Sequence, residues 1–460
     1  MLLRRLCPLC YILATAADIP TNVASEFFVA FSKNHRFNNA DTLTLVITTS
    51  ESEPVQFQIS TLTGYTHTST LYPSNPVQSI TIPSYLTVDN EFDRNKGIWV
   101  RTTDPNMSIA VSGMNYEQHT ADVFLALPSG PPSQVYTYII SSMLWNNRSG
   151  DNFPSIMLLV AMEDDTSVTI VPTEYVTIPY DLMDPYDPRT TISPGESYTV
   201  TLNRQQTFQL ETLLDLTGSQ AYSNKPLAVF AGHECADVPQ GITACDHLFE
   251  QVPPTSTWGR FFFLVALHGR SSPDWYRIIA SEQSTTTTVT CYTLDDSLHS
   301  FTYHIYTASL GGFEEFLVDE NSYCYVEADK AILVMQYAYG GTATNGFGDP
   351  MMMIVVPTEQ FVANTTIRFW AYYNFVNYIT VIVLEPQYPN DTTMDGSLLS
   401  SNWNEIYCSE EQLCGYVLRL SVTAGYHYIS TTAPLAVYVY GFESYRGYGY
   451  PAAMSMKSES

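Results

Sequence analysis

Four residues able to ligate a metal fall close together near the middle of the chain: His233, Cys235, Cys245 and His247. A tetrahedral zinc site needs four such donors, and His-x-Cys followed by Cys-x-His supplies them. The same two cysteines would equally close a disulfide around Pro239 and Gly241. Acidic clusters offer a second chemistry. Glu163-Asp164-Asp165, the Asp181, Asp184 and Asp187 series, and Asp295-Asp296 carry oxygens of the kind calcium takes. None has EF-hand spacing, and Asp-rich turns between strands arise for conformational reasons alone. His233-Glu234 does not open a zincin motif, because Asp237 stands where the second His is required. The chain has no Gly-x-Ser-x-Gly elbow, no P-loop and no dinucleotide fingerprint. The expectation is therefore a protein that is not an enzyme and needs no cofactor and no metal. A carboxylate pair across a cleft, making a hydrolase on a propeller scaffold, is the third-ranked alternative.

The elements that would position these residues are strands. Alternation at period two dominates, as in Ser197–Leu202 and Gln206–Leu210, and few segments keep a helical period. The chain also repeats itself about every 105–125 residues. Aromatic openings occur at Glu26–Phe31, Val135–Ile140, Arg260–Val265 and Ile367–Tyr372. Thr/Val-rich second strands occur at Thr42–Ile47, Ser167–Ile170, Thr287–Thr290 and Tyr378–Val383. Apolar closing strands run Ser108–Gly113, Pro226–Gly232, Ala331–Gln336 and Pro434–Gly441. Links then run from an Asp through mostly apolar residues to a Pro: Asp122–Pro128, Asp246–Pro253 and Asp349–Pro357. The expected fold is all-β, with four tandem repeats near 24–128, 129–253, 254–357 and 358–460. Each unit has strands enough for a β-sandwich, which repeat length favours. A β-propeller-like ring is the alternative, since closure removes strand edges.

Composition narrows the setting. Nineteen basic against 46 acidic residues give a net charge of −27. Nucleic acid and anionic membrane surfaces, which need clustered Lys/Arg, are excluded as expected partners. Arg4-Arg5, an apolar run to Leu13 and Ala14-Thr-Ala16 read as a signal peptide over residues 1–16, and no later stretch is long and apolar enough to span a bilayer. Residues 17–460 are then one exported domain. Six of the eight cysteines follow the leader, an even number that suits disulfides. Fifteen pairings are formally open. Sequence proximity and repeat position suggest Cys235–Cys245, Cys291–Cys324 and Cys408–Cys414, each stabilising by about 2–3 kcal/mol. Glycosylation acceptors at Asn106, Asn147, Asn364 and Asn390 agree with export.

The segment Gly232–Leu248, followed by Glu250–Pro254 and Ser256–Gly259, resembles the signature of the N-terminal domain of the IgG-Fc-binding protein family. Ala121–Pro128, Ser223–Phe230, Val437–Phe442 and Tyr448–Pro451 fit the same family in the same order. The resemblance implies a secreted protein of mucus or defence, a binding or structural role, and the disulfide rather than the zinc reading. The expected function is an extracellular adhesion module that presents loops to a glycoprotein or mucus component. The alternative is a self-associating component of an extracellular coat or gel. The candidate binding loop is Gly232–Trp258, with His233, Asp237, Asp246, His247 and Trp258 as its contact residues.

Overall fold

A strand covered on one face alternates buried and exposed side chains, whereas a strand covered on both faces is apolar throughout. This chain contains both kinds. Tyr198–Leu202 alternates strictly, while Ser155–Ala161 is buried at all seven positions. The computed structural model describes residues 22–35, 42–90, 93–128, 135–144, 152–178, 190–242, 244–293, 301–344, 346–384, 391–399, 402–409 and 412–457. The proposed leader, Asn147, Asn390, Asp181–Asp187 and Asp295-Asp296 lie outside them. Among the described residues the regular structure is strands with a few short 3-10 turns, an all-β fold.

One pairing pattern occurs four times along the chain. A central strand pairs with a closing strand, which folds back through a hairpin onto a short axial strand, always antiparallel. The central strands are Thr42–Thr48, Ser155–Ala161, Asp274–Ala280 and Val376–Leu384. Their closing partners are Ala110–Tyr116, Leu227–Ala236, the second half of Ser322–Tyr337, and Leu435–Glu443. The axial strands are Ala121–Leu125, Asp246–Val252, Met352–Val355 and Arg446–Pro451. In the first, second and fourth blocks a second sheet covers one face of this inner sheet. In the third block the long Ser322–Tyr337 strand serves both layers.

The uncovered face of each inner sheet packs on its neighbour. Met157 and Leu159 fill the core of the second block, while Ile156, Leu158 and Val160 between them fill the core of the first. Leu333 and Met335 of the third block reach the second block's core in the same way. Val46 and Met114 of the first block join the core of the third and fourth. Ala121–Leu125 packs against both Asp246–Val252 and Arg446–Pro451, and Met352–Val355 packs against the same two. The four axial strands thus form a closed ring with sandwich-like blocks around it, combining features of both expected architectures. Glycine makes the close approach of the axial strand feasible: a Cβ on Gly232 would lie 1.8 Å from the Leu248 carbonyl oxygen, and one on Gly113 would lie 2.3 Å from the Phe124 ring.

One expected equivalence fails. Ser167–Ile170 lies in the outer sheet of the second block, and Thr287–Thr290 pairs with the first half of the long strand. They do not match the central positions of Thr42–Ile47 and Tyr378–Val383. The true central strands of blocks two and three are buried on both faces. They lack the Thr/Val alternation that makes the following strand conspicuous in the sequence.

Candidate functional site

The Asp residues that open three links converge on the ring axis. Asp122 is fully enclosed, and its carboxylate takes amides from all four axial strands: Val123 at 2.8 Å, Phe249 at 3.0 Å, Met352 at 3.4 Å, and Gly449. Nearer the strand starts, Asp246 accepts from Ala121 and His247, both at 2.7 Å, and from Gly447 at 3.1 Å. Asp349 accepts from the Gly341 amide at 2.7 Å. Glu250, four residues beyond Asp246 on the same strand, is also fully buried. Burial pushes the Asp122, Asp246 and Glu250 carboxyls well up, opposed at Asp122 and Asp246 by these amides and at Glu250 by those of Ile354 and Gln251. Burial also raises Asp349, opposed by the Gly341 amide and by Arg270. No axial carboxylate faces solvent, so none is placed to meet a substrate.

All five expected contact residues belong to this interior, which corrects the expectation. His233, Asp246 and His247 have no exposed surface, Trp258 has 2% and Asp237 has 8%. His233 Nδ1 accepts from the Cys235 amide at 3.1 Å. His247 Nδ1 lies 3.2 Å from the Glu234 carbonyl, to which it donates, and the ring stacks on Phe249. Trp258 Nε1 donates to the Pro253 carbonyl at 3.1 Å. For His233, Asp246 and His247 the physical cause is that the closing strand Leu227–Ala236 and the axial strand Asp246–Val252 are buried along their whole length, covered on both faces. The segment reaches solvent at the tip of its hairpin, around exposed Gln240, and again at Ser256.

Disulfides join Cys235 to Cys245, Cys291 to Cys324 and Cys408 to Cys414. The first bond takes both sulfurs of the zinc-like quartet, although His35 approaches them closely. Glu163-Asp164-Asp165 forms a turn, with Asp165 in the left-handed region (φ 52°) and Asp164 accepting from the Arg204 amide at 3.0 Å. Of the glycosylation acceptors, Asn106 and Asn364 are exposed.

The accessible feature above the axis is a face built from hairpins. The starts of the axial strands share one end, because Asp246 bonds the starts of two others. The connecting hairpins meet there: the Gly340 amide donates to Val238 at 2.7 Å, the Gly348 amide donates to Glu443 at 2.8 Å, and Arg446 reaches Tyr116. Gln118, His119, Gln240, Ser444 and Tyr445 are exposed at the tips. Sequence reading noticed the link Asp residues only as markers of spacing. A charged residue opening an otherwise apolar segment was the available sign of a satisfied, buried group.

A family profile described as IgGFc binding protein matches residues 122–441. The chain belongs to the IgGFc-binding protein family. The match begins at Asp122 and takes in the first three axial strands. A human relative, "IgGFc-binding protein", is 28% identical over 165 residues, which is 35% of this chain and 3% of the relative's length. The chain thus aligns with a small fraction of that IgGFc-binding protein. Among solved structures, the major pilin of Streptococcus pyogenes aligns at 8% identity over 70% of this chain and 99% of the pilin, with a TM-score of 0.16. A chain of the lipid-containing bacteriophage PM2 aligns at 11% identity over 66% of this chain and 83% of its own, with a TM-score of 0.12. Superpositions this poor do not bear on the fold of the family. Among the described residues no helix is long and apolar enough to cross a membrane.

The buried titratable groups make stability depend on pH. Burial raises Asp274 to about 7 despite the Leu267 amide and Arg270, and raises Glu234 to about 7 despite Lys33. Burial lowers His233 to about 3 and His247 to about 4. An acid raised from its unfolded value near about 4 stabilises the fold fully below that pH, and the contribution is lost as pH climbs through about 7. A lowered histidine acts oppositely: its contribution is complete above about 6.5 and lost as pH falls through the folded value. Asp122, Asp246, Glu250, Asp274 and Glu234 outnumber the two histidines. The melting temperature is therefore expected to be higher at about pH 5 than at about pH 7.5. A curve rising steadily over that interval would mean that the amides hold the axial acids ionised.

Proposed function

We propose that this chain is a secreted extracellular binding module that docks a glycoprotein partner, of mucus or defence fluid, on the hairpin face above its axis. The observation that carries the reading is the closure of the axial carboxylates from solvent, with Asp122, Asp246 and Asp349 held by backbone amides, which leaves the exposed hairpin tips as the surface a partner can reach. Membership of an IgGFc-binding family supports a protein partner, with immunoglobulin Fc as the first probe. Hairpins tied edge to edge lose little freedom on docking, which supports affinity. We also propose that the four blocks descend from one repeated unit.

The test is retention of partners from matched extracellular fluid by the glycosylated chain, with purified Fc tested in parallel. One saturable glycoprotein is expected. Its retention should fall at least tenfold in a variant carrying Gln240→Arg and Tyr445→Gly, with an unchanged melting temperature. Glycine suits position 445, where the backbone is left-handed (φ 57°). Recovery of the bait alone, as oligomers, would replace this reading with a self-associating coat component. Undiminished retention by the tip variant would move the binding surface elsewhere.

A further inference from the structure

Where the first and last blocks meet, the outer sheet of the fourth block borders a shallow, open groove of about 640 Å³. Its lining is rich in hydroxyls. Ser50 comes from the first block, and Thr366 and Ser430 face each other with their oxygens 2.8 Å apart. Asp391 is held in place by the Thr432 amide at 3.1 Å. Arg368 sits at the hub, lining this groove and two narrower cavities along the same seam. Its Nη1 donates to the Thr366 carbonyl at 3.4 Å and the guanidinium also meets the Tyr426 hydroxyl, while its buried Nε has no hydrogen-bond partner.

The strand register extends the site. Thr366 lies opposite Ser430, Arg368 opposite Tyr428, and Trp370 opposite Tyr426, all partly exposed on the same face. A hydroxyl pair, a guanidinium and an aromatic pair therefore follow one another over about 13 Å, from the rise per residue. Tyr373, 62% exposed, packs edge-on to Trp370 beyond them.

We infer that this groove binds a saccharide bearing a single carboxylate. Aromatic faces cover the apolar faces of sugar rings. Hydroxyls and Asp391 match ring hydroxyls, and the partly exposed Arg368 guanidinium supplies the one positive charge that meets the carboxylate. The chain's charge of −27 repels a polyanion but leaves room for one acid group met by one guanidinium. The sugar has two sources: a free or partner glycan, or a glycan carried on Asn364, which is exposed on the groove's lining with φ 51°.

The experiment titrates sialyllactose and lactose against the full glycosylated chain and its Asn364→Gly variant, by saturation-transfer NMR. Glycine keeps the left-handed backbone while removing the acceptor. Sialyllactose is expected to bind at least about tenfold tighter than lactose, and Arg368→Met to abolish that preference without moving the melting temperature. Equal binding to both glycoforms identifies a free or partner glycan. Binding to Asn364→Gly alone identifies the chain's own glycan as the occupant. Absence of binding to both, or an Arg368→Met variant with the same preference, overturns the inference. None of the hairpin-tip residues lines the groove, so this result stands apart from the docking test.

Discussion

Replacing Asp122 by Ala is expected to lower the unfolding free energy by more than about 4 kcal/mol, at the upper extreme for one side chain. The truncation leaves the Val123, Phe249, Met352 and Gly449 amides without their shared acceptor in a place closed to water. Each orphaned buried group costs roughly 1–3 kcal/mol. Three of the four amides come from other blocks, so the loss falls on the contact that closes the ring. Proteins hold only about 5–15 kcal/mol in reserve, and the yield of folded Asp122→Ala is expected to collapse. Asp122→Asn keeps one acceptor oxygen and the shape of a neutral acid, so it should fold, with a loss of about 1–2 kcal/mol in urea denaturation. Equal, small losses in both variants would mean that water replaces the carboxylate and that the axis is open.

The contrast between the link residues and the loop residues shows what a sequence carries. The all-β class, the aromatic openings and the apolar closing strands were legible, because each depends on neighbours two to four positions away. Asp122, Asp246 and Asp349 were visible as the starts of three links, but their purpose was not. The donors that satisfy Asp122 lie 127 and 230 positions further along the chain, at Phe249 and Met352. His233, His247 and Trp258 were misjudged for the same reason. A segment rich in His, Cys, Asp and Glu reads as surface, and only the neighbouring blocks turn it into interior. Apolar strands covered on both faces carry no period, so the central strands of blocks two and three were passed over for the alternating strands beside them. The seam groove was invisible for a further reason: it is shared by Ser50 and Arg368, from opposite ends of the chain.

Removing Arg277 should match the axial loss at a different place. Its guanidinium is 2% exposed and bridges the second and third blocks. It donates to Glu315 at 2.6 and 2.9 Å, to the Ser142 carbonyl at 2.7 Å and to the Thr217 hydroxyl, and lies 3.1 Å from Asp215. Burial opposes the charge, but Asp215, Tyr337 and Glu315 outweigh it and hold the group above its ordinary pKa. Taking one partner from such a pair costs about 3–5 kcal/mol, because the remaining charges keep their burial without their compensation. Arg277→Met is expected to show that loss in urea denaturation. Arg277→Lys should recover less than half of it, since one ammonium cannot fork between carboxylates on two blocks. The discriminating measurement is a double-mutant cycle with Asp215→Asn. A coupling above about 1 kcal/mol is expected for charges in direct contact. A coupling near zero would reduce Arg277 to a packing residue over Phe313, whose ring lies 4.3 Å below the guanidinium, and would leave the block interface to apolar contacts and the Tyr337 hydroxyl bonds to Ser141 and Ser142.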